Sequence, residues 1–250
     1  SYIVGATAMD ITGKVVIVTG ASAGIGLATA RLFASHGARL VLAARSAEKL
    51  SALAQELGQA GQPALPVPTD MRAPAEVTRL VDLAVQAYGR IDVLVNNAGQ
   101  AAAGRVADVD PDDFRSILEL NVFGVLFAMQ AVIPVMRQGG GGLILNVSSN
   151  VSKMHIPGLG AYAATKAALN MLSETARGEL ESENIRVITI FPRMTATDFG
   201  KNALGNRPVQ AGQPAYRPPS SGTRSPDTAE YVAGKILEAA EKEPAEQFME

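Results

Sequence analysis

The sequence predicts an α/β fold: one doubly wound domain over residues 1–250, with a parallel sheet of six to seven strands and helices on both faces. Two observations predict it. From Lys14 onward, short β-branched runs alternate with longer helical patterns, and such alternation produces right-handed crossovers and a helix-covered parallel sheet. The strand-like runs are also continuously apolar, as strands buried on both faces are. No repeat, low-complexity tract or linker divides residues 10–195.

In chain order, "KVVIVTG" is the first strand, and a helix follows from about Ile25 to Ser35, stopped by Gly37. "ARLVLAAR" is the second strand, and "AEKLSALAQEL" a helix ending at Gly58. "ALPVPTD" is a shorter third strand with prolines at its margins. In "APAEVTRLVDLAVQAYG", Val77, Leu80, Val81, Ala84, Val85 and Tyr88 share one helical face. "IDVLVNNAG" is the fourth strand, running into a polar turn.

Asp110 as N-cap and Pro111 at the first helical position open a helix that continues to about Met136, with Phe114, Ile117 and Leu118 inward. Glycines 139–142 end it. "LILNVSS" is strand five, residues 161–181 a long helix, and "IRVITIFP" strand six. Ser225-Pro226 repeats the cap-plus-proline signature before a last helix with Val232, Ile236, Leu237 and Ala240 inward. Between them, residues 198–224 are rich in Gly and Pro without a period, as expected of a substrate-binding loop or lid.

Composition narrows the function classes. With 47% hydrophobic and 18% charged residues and a net charge of −2, the chain reads as a globular protein with no basic block for nucleic acid. The absence of cysteine excludes disulfides, thiolate nucleophiles and cysteine–zinc sites. His36 and His155 are too scattered to form a metal centre, so no metal is expected. "SYIVGATAMD" has no charged n-region or long apolar core, and no run approaches a membrane span. A cytoplasmic protein without membrane or nucleic-acid partners is the expectation.

Two stretches carry candidate chemistry. "TGASAGIG" (19–26) joins the first strand to the first helix, with Gly20, Gly24 and Gly26 allowing a tight turn and close approach of a pyrophosphate to the helix N-terminus. At the end of strand two, where a carboxylate would hold the ribose hydroxyl of NAD, the chain reads Ala43-Ala44-Arg45-Ser46. A guanidinium suits a 2′-phosphate, which favours NADP(H); the alternative is a solvated Arg45 at a strand end. In "GAYAATKAAL", Tyr162 and Lys166 lie four residues apart on one helical face. They are either a plain pair or a phenol whose pKa a neighbouring cation lowers for proton transfer.

"TGASAGIG", "NNAG" (96–99), Asn121 in "NVFG", "NVSS" (146–149) and "YAATK" (162–166), in this order and spacing, resemble the short-chain dehydrogenase/reductase family over roughly residues 11–197. The resemblance implies a Rossmann fold and a four-residue site. Tyr162 is the implied acid/base. Lys166 lowers its pKa and binds the nicotinamide ribose. Ser149, thirteen positions before the tyrosine, is selected over Ser148 to bond the substrate oxygen, and Asn121 holds a relay water. The implied cofactor shell is Gly20, Ser22, Gly24, Ile25, Gly26, Arg45, Asp70 and Met71 at the adenine, Asn96 to Gly99, and Pro192, Thr195 and Thr197 after strand six, together with Tyr162 and Lys166. The family's usual Pro-Gly reads Pro192-Arg193 here, so that Arg193 either enters the pocket or turns to solvent.

The resemblance implies an NADP(H)-dependent oxidoreductase acting on a small-molecule carbonyl or alcohol, commonly as a homo-oligomer (dimer or tetramer). The pocket is expected from Gln100, Val151 to Gly158, Met194 and the 198–224 loop, mostly apolar, with His155 either its polar handle or solvated. The alternatives are an NAD-dependent secondary-alcohol dehydrogenase and a non-catalytic NADP(H)-binding sensor. The chain stops at "EQFME", which leaves only a stub for a seventh strand.

Overall fold

A computed structural model describes residues 9–205 and 225–249. Seven parallel strands form one sheet: β1 (Val15–Thr19), β2 (Arg39–Ala44), β3 (Ala64–Pro68), β4 (Val93–Asn96), β5 (Gly142–Val147), β6 (Ile185–Phe191) and the short β7 (Glu246–Phe248). Their order is β3-β2-β1-β4-β5-β6-β7, so the winding reverses between β1 and β4. In the central register Ile17 pairs with Val41 on one side and Leu94 on the other.

Because side chains alternate along a strand, each strand feeds two cores. Val16, Val18, Leu40, Leu42, Leu143 and Leu145 face α1 (Gly24–Ser35), α2 (Ala47–Gln59) and α7 (Ala229–Lys242), around Phe33 and Ile236. Ile17, Val41, Leu94 and Ile144 face α3 (Pro74–Tyr88), α5 (Gly124–Gln138) and α6 (Gly160–Leu180), around Leu80, Met136 and Leu169. Each such fully buried side chain contributes about 1.5–3 kcal/mol of hydrophobic stabilisation.

Asp110 caps α4 (Pro111–Leu118) as expected, accepting from the Asp112 N–H at 2.8 Å. The helix does not continue regularly into α5. A π-helical turn, Glu119–Phe123, intervenes, and it carries Asn121. The combined span Pro111–Gln138 is long and apolar enough to cross a membrane by length and composition, contrary to the sequence expectation. Its apolarity has a local use, since Ile117, Val125, Met129, Val132 and Met136 are buried in the protein.

Two helix ends differ from expectation. Helix α2 passes through Gly58 to Gln59, and the chain turns instead at Gly61, whose φ is 78°. Helix α7 begins at Ala229, with Thr228 as N-cap accepting from the Tyr231 N–H at 3.1 Å, so Ser225 is not its cap. The Asp227 backbone is already committed to the segment after β6: its N–H donates to Met194 O at 2.9 Å and its carbonyl accepts from the Ala196 N–H at 2.8 Å. The helix can start only beyond it.

Candidate active site

A cleft of about 2140 Å³ runs along the C-terminal ends of the strands, where an open parallel sheet binds ligands at its switch point. Its floor is the turn from β1 to α1. Gly20 and Gly24 adopt left-handed φ of 68° and 53°. A Cβ on Gly26 would lie 2.3 Å from the Gly20 carbonyl oxygen, so that position packs the turn against the helix. Ala23, the N-cap of α1, offers no side-chain bond, and Gly24 and Ile25 at the helix start line the cleft. Uncapped N–H groups with the positive end of the helix dipole fit a pyrophosphate.

Asn97 braces this turn from β4, its Nδ2 donating to the Thr19 carbonyl at 3.0 Å. The Thr19 hydroxyl accepts from the Asn97 and Ala98 N–H groups, both at 3.0 Å. Asn97 falls within the expected stretch Asn96 to Gly99, whereas Thr19, the first residue of "TGASAGIG", has no role assigned from sequence. Asn96, expected on the cofactor side, does not reach the cleft. It is buried beneath it, donating to Asn146 Oδ1 at 2.9 Å, and Asn146 in turn donates to Ser173 at 2.9 Å. Period two decides this: in a strand, adjacent side chains point to opposite faces.

At the adenosine end, Arg45 and Lys49 are exposed and line the cleft with Ser22 and Ser46. Among the described residues Arg45 has no hydrogen-bonded or ion-paired partner. Asp70 and the buried Met71 line the same end. The Arg72 guanidinium clasps the Asp70 carboxylate, with Nη2–Oδ2 at 2.5 Å, and holds it below the usual carboxylate range.

At the reaction end, Tyr162, Lys166, Ser149 and Asn121 are all buried. Ser148 is spoken for: its hydroxyl donates to Asn170 Oδ1 at 2.5 Å. The Ser149 hydroxyl accepts only a 3.3 Å bond from the Val151 N–H and stands beside the Tyr162 phenol. Burial pushes that phenol up to about 12, against the opposing pull of the Ser149 hydroxyl. Burial likewise pushes the Lys166 ammonium down to about 8. The expected lowering of the tyrosine by the lysine is therefore reversed here. Lys166 Nζ lies 6.0 Å from the Tyr162 ring centroid and donates instead to the Val147 carbonyl at 2.8 Å. Burial thus keeps the phenol in its protonated, hydrogen-bond-donating form.

The Asn121 side chain donates to the Gln100 carbonyl at 2.9 Å and to Thr165 Oγ1 at 3.0 Å, while accepting from the Gln100 N–H at 2.9 Å. With both amide hydrogens taken, it ties the loop after β4 to α6. Its Oδ1 accepts one bond and keeps a second lone pair, the place left for the expected relay water. Gly99 is pressed into this junction, where a Cβ would sit 3.6 Å from Lys166 Nζ.

After β6, Pro192, Thr195 and Thr197 line the cleft. Thr197 lies over the glycine turn, its Cγ2 3.2 Å from where a Gly24 Cβ would be. Arg193 neither projects free into the pocket nor turns to solvent. Its Nε and Nη2 bond the Asp227 carboxylate at 3.1 and 2.5 Å. Asp198 to Gly205 fold over the reaction end: Phe199 packs on Tyr162 with ring centroids 5.7 Å apart, and Leu204 exchanges backbone bonds with Ala101 and Ala103. Residues 206–224 of the expected lid lie outside the described residues. His155 is exposed and does not line the cleft.

An elongated ligand lying across the glycine turn, with its reactive end at a buried tyrosine, is what a nicotinamide-dependent dehydrogenase or reductase requires, and the cradle fits a dinucleotide. Residues 14–207 match the short chain dehydrogenase family, and the chain belongs to it. It is 36% identical over 225 residues to an uncharacterized oxidoreductase of Methylorubrum extorquens, covering 89% of this chain and 90% of that one. Among solved structures it is similar to a short chain dehydrogenase/reductase from Burkholderia phymatum in complex with NAD (27% identity, TM-score 0.84, 96% of this chain and 90% of that one). It is also similar to a 7α-hydroxysteroid dehydrogenase complexed with NADH and 7-oxo glycochenodeoxycholic acid (29% identity, TM-score 0.84, 96% and 93%).

Proposed function

We propose that this oxidoreductase prefers NADP(H) and interconverts a ketone or aldehyde with its alcohol. The observation that carries the reading is the buried Tyr162 phenol beside Ser149, at one end of a cleft whose other end presents Arg45, exposed and without a hydrogen-bonded or ion-paired partner among the described residues. In reduction, Tyr162 gives its proton to the carbonyl oxygen, Ser149 donates a hydrogen bond to the same oxygen, and Lys166 supplies nearby positive charge. The bound cofactor supplies the hydride. Asn121 acts as a positioning residue, fixing Gln100 and α6 around the reacting groups. The reading includes self-association into a dimer or tetramer: Phe123, Met171 and Leu172 remain 43%, 64% and 37% exposed along the π-helical turn and α6.

The test is a side-by-side titration with NADPH and NADH, followed by nicotinamide fluorescence. Tighter NADPH binding that disappears in Arg45→Ala is the expected result, and equal or better NADH binding overturns the preference. A second reading, an NAD-dependent alcohol dehydrogenase, is favoured by the NAD and NADH in the similar structures. The same titration separates the two.

A further inference from the structure

Beyond the buried Lys166, which bonds the Val147 carbonyl, the reaction end of the cleft has apolar walls and paired cations at its rim. Val151, Met154, Ile156, Met194 and Phe199 form its walls. Besides Lys166, three cations belong to the segments around it, and each is matched to its own carboxylate. Arg193 holds Asp227 through two bonds, Lys201 holds Asp198 at 2.7 Å, and Lys153 holds Glu246 at 2.7 Å. The pairs differ in solvation. The Lys201 and Asp198 side chains are 82% and 72% exposed, where water screens them, whereas Arg193 and Asp227 are 25% and 9% exposed.

Arg193 is also the least exposed of these three paired cations. It follows Pro192 and precedes Met194, all three on the cleft wall. Left unpaired, a largely covered guanidinium there would attract a substrate carboxylate by charge and by paired hydrogen bonds. Asp227 occupies those donors and is anchored by its backbone to Met194 and Ala196, so the two groups cannot easily separate.

We infer that Asp227 is a specificity determinant: by neutralising Arg193 it sets this pocket for uncharged carbonyl substrates and against carboxylate-bearing ones. The inference rests on the oxidoreductase reading above and adds the substrate's charge class.

The experiment compares two ketones of one shape, methyl 4-acetylbenzoate and 4-acetylbenzoate, as substrates of the full chain with NADPH and with NADH. Wild type is expected to favour the ester in kcat/KM. Asp227→Asn keeps the shape and removes one charge, and it should raise the acid-to-ester ratio about tenfold. The double variant Asp227→Asn with Arg193→Met is neutral again and should return the ratio to that of wild type. NADPH affinity, measured alongside, should not follow this pattern, which separates a pocket effect from a cofactor effect.

Wild type accepting the carboxylate as readily as the ester, or a ratio unmoved by Asp227→Asn, overturns the inference. If neither ketone is turned over, the carbonyl-reduction reading fails for them. The charge inference is then decided by binding of the same two ligands to the NADP⁺-saturated protein in ligand-observed NMR, with the same ratios expected and the same results overturning it.

Discussion

At the end of β2, Arg45 stands exposed with no hydrogen-bonded or ion-paired partner among the described residues, whereas at the end of β6 Arg193 gives two donors to Asp227. Both arginines follow a parallel strand and both line the cleft. A cation in water exchanges solvent for a ligand anion at little cost, while a paired one must first leave its carboxylate. The exposed Arg45 can therefore take up a ligand anion more readily than the paired Arg193. The buried groups continue the contrast, because Tyr162 and Lys166 owe their shifted pKa values to burial rather than to each other.

The largest expected effect breaks the reaction end alone. Tyr162→Phe removes one hydroxyl, and kcat should fall about 10²–10⁴-fold, the usual worth of a general acid, while NADPH affinity stays near wild type. A variant retaining most of its kcat would remove the tyrosine from the mechanism. The two serines then sharpen the picture within one strand end. Ser149→Ala should lower kcat/KM about 10-fold or more by deleting a donor to the developing oxyanion. Ser148→Ala should leave turnover largely intact but cost about 1–2 kcal/mol of stability in urea unfolding, since Asn170 loses a buried partner. The reverse pattern would exchange their roles.

Arg45→Ala probes the other end. NADPH binding should weaken roughly 10-fold, NADH binding should not change, and the difference should shrink as salt is raised, because this cation is exposed. A salt-independent loss would point to altered structure rather than lost charge.

What sequence shows of these two ends follows from how local their causes are. Tyr162 and Lys166 are joined by helical period, and Gly20 and Gly24 by a turn that demands left-handed φ, so both were readable from spacing. Arg193 and Asp227 are joined only by the fold. Asp227 sits in a stretch that reads as a helix start, and the signal is absorbed by Ser225-Pro226. The π-helical turn at Asn121 was hidden because inserting one residue into a helix scarcely disturbs an apolar period over so short a span. The neutral, raised phenol was hidden too, since residue types give proximity but burial gives the sign.

The smallest expected effect tests that last point through stability. Lys166 has a folded pKa of about 8 against an unfolded value of about 10.5. Below pH 8 the folded protein buries the charge at a cost. Between about pH 8 and 10.5 the unfolded chain binds the extra proton, so stability rises with pH. Tyr162 acts oppositely and later: its folded value of about 12 exceeds the unfolded 10, so its contribution is lost as pH rises from about 10 to 12. Lys166→Met removes the first contribution and keeps the second. Relative to wild type, the variant should therefore be more stable at pH 7 than at pH 9.5, by at least about 1 kcal/mol in paired urea titrations. A difference that stays flat, or widens with pH, would mean that the ammonium is stabilised where it lies, and that the reaction end holds a buried charge as firmly as it holds the Arg193–Asp227 pair.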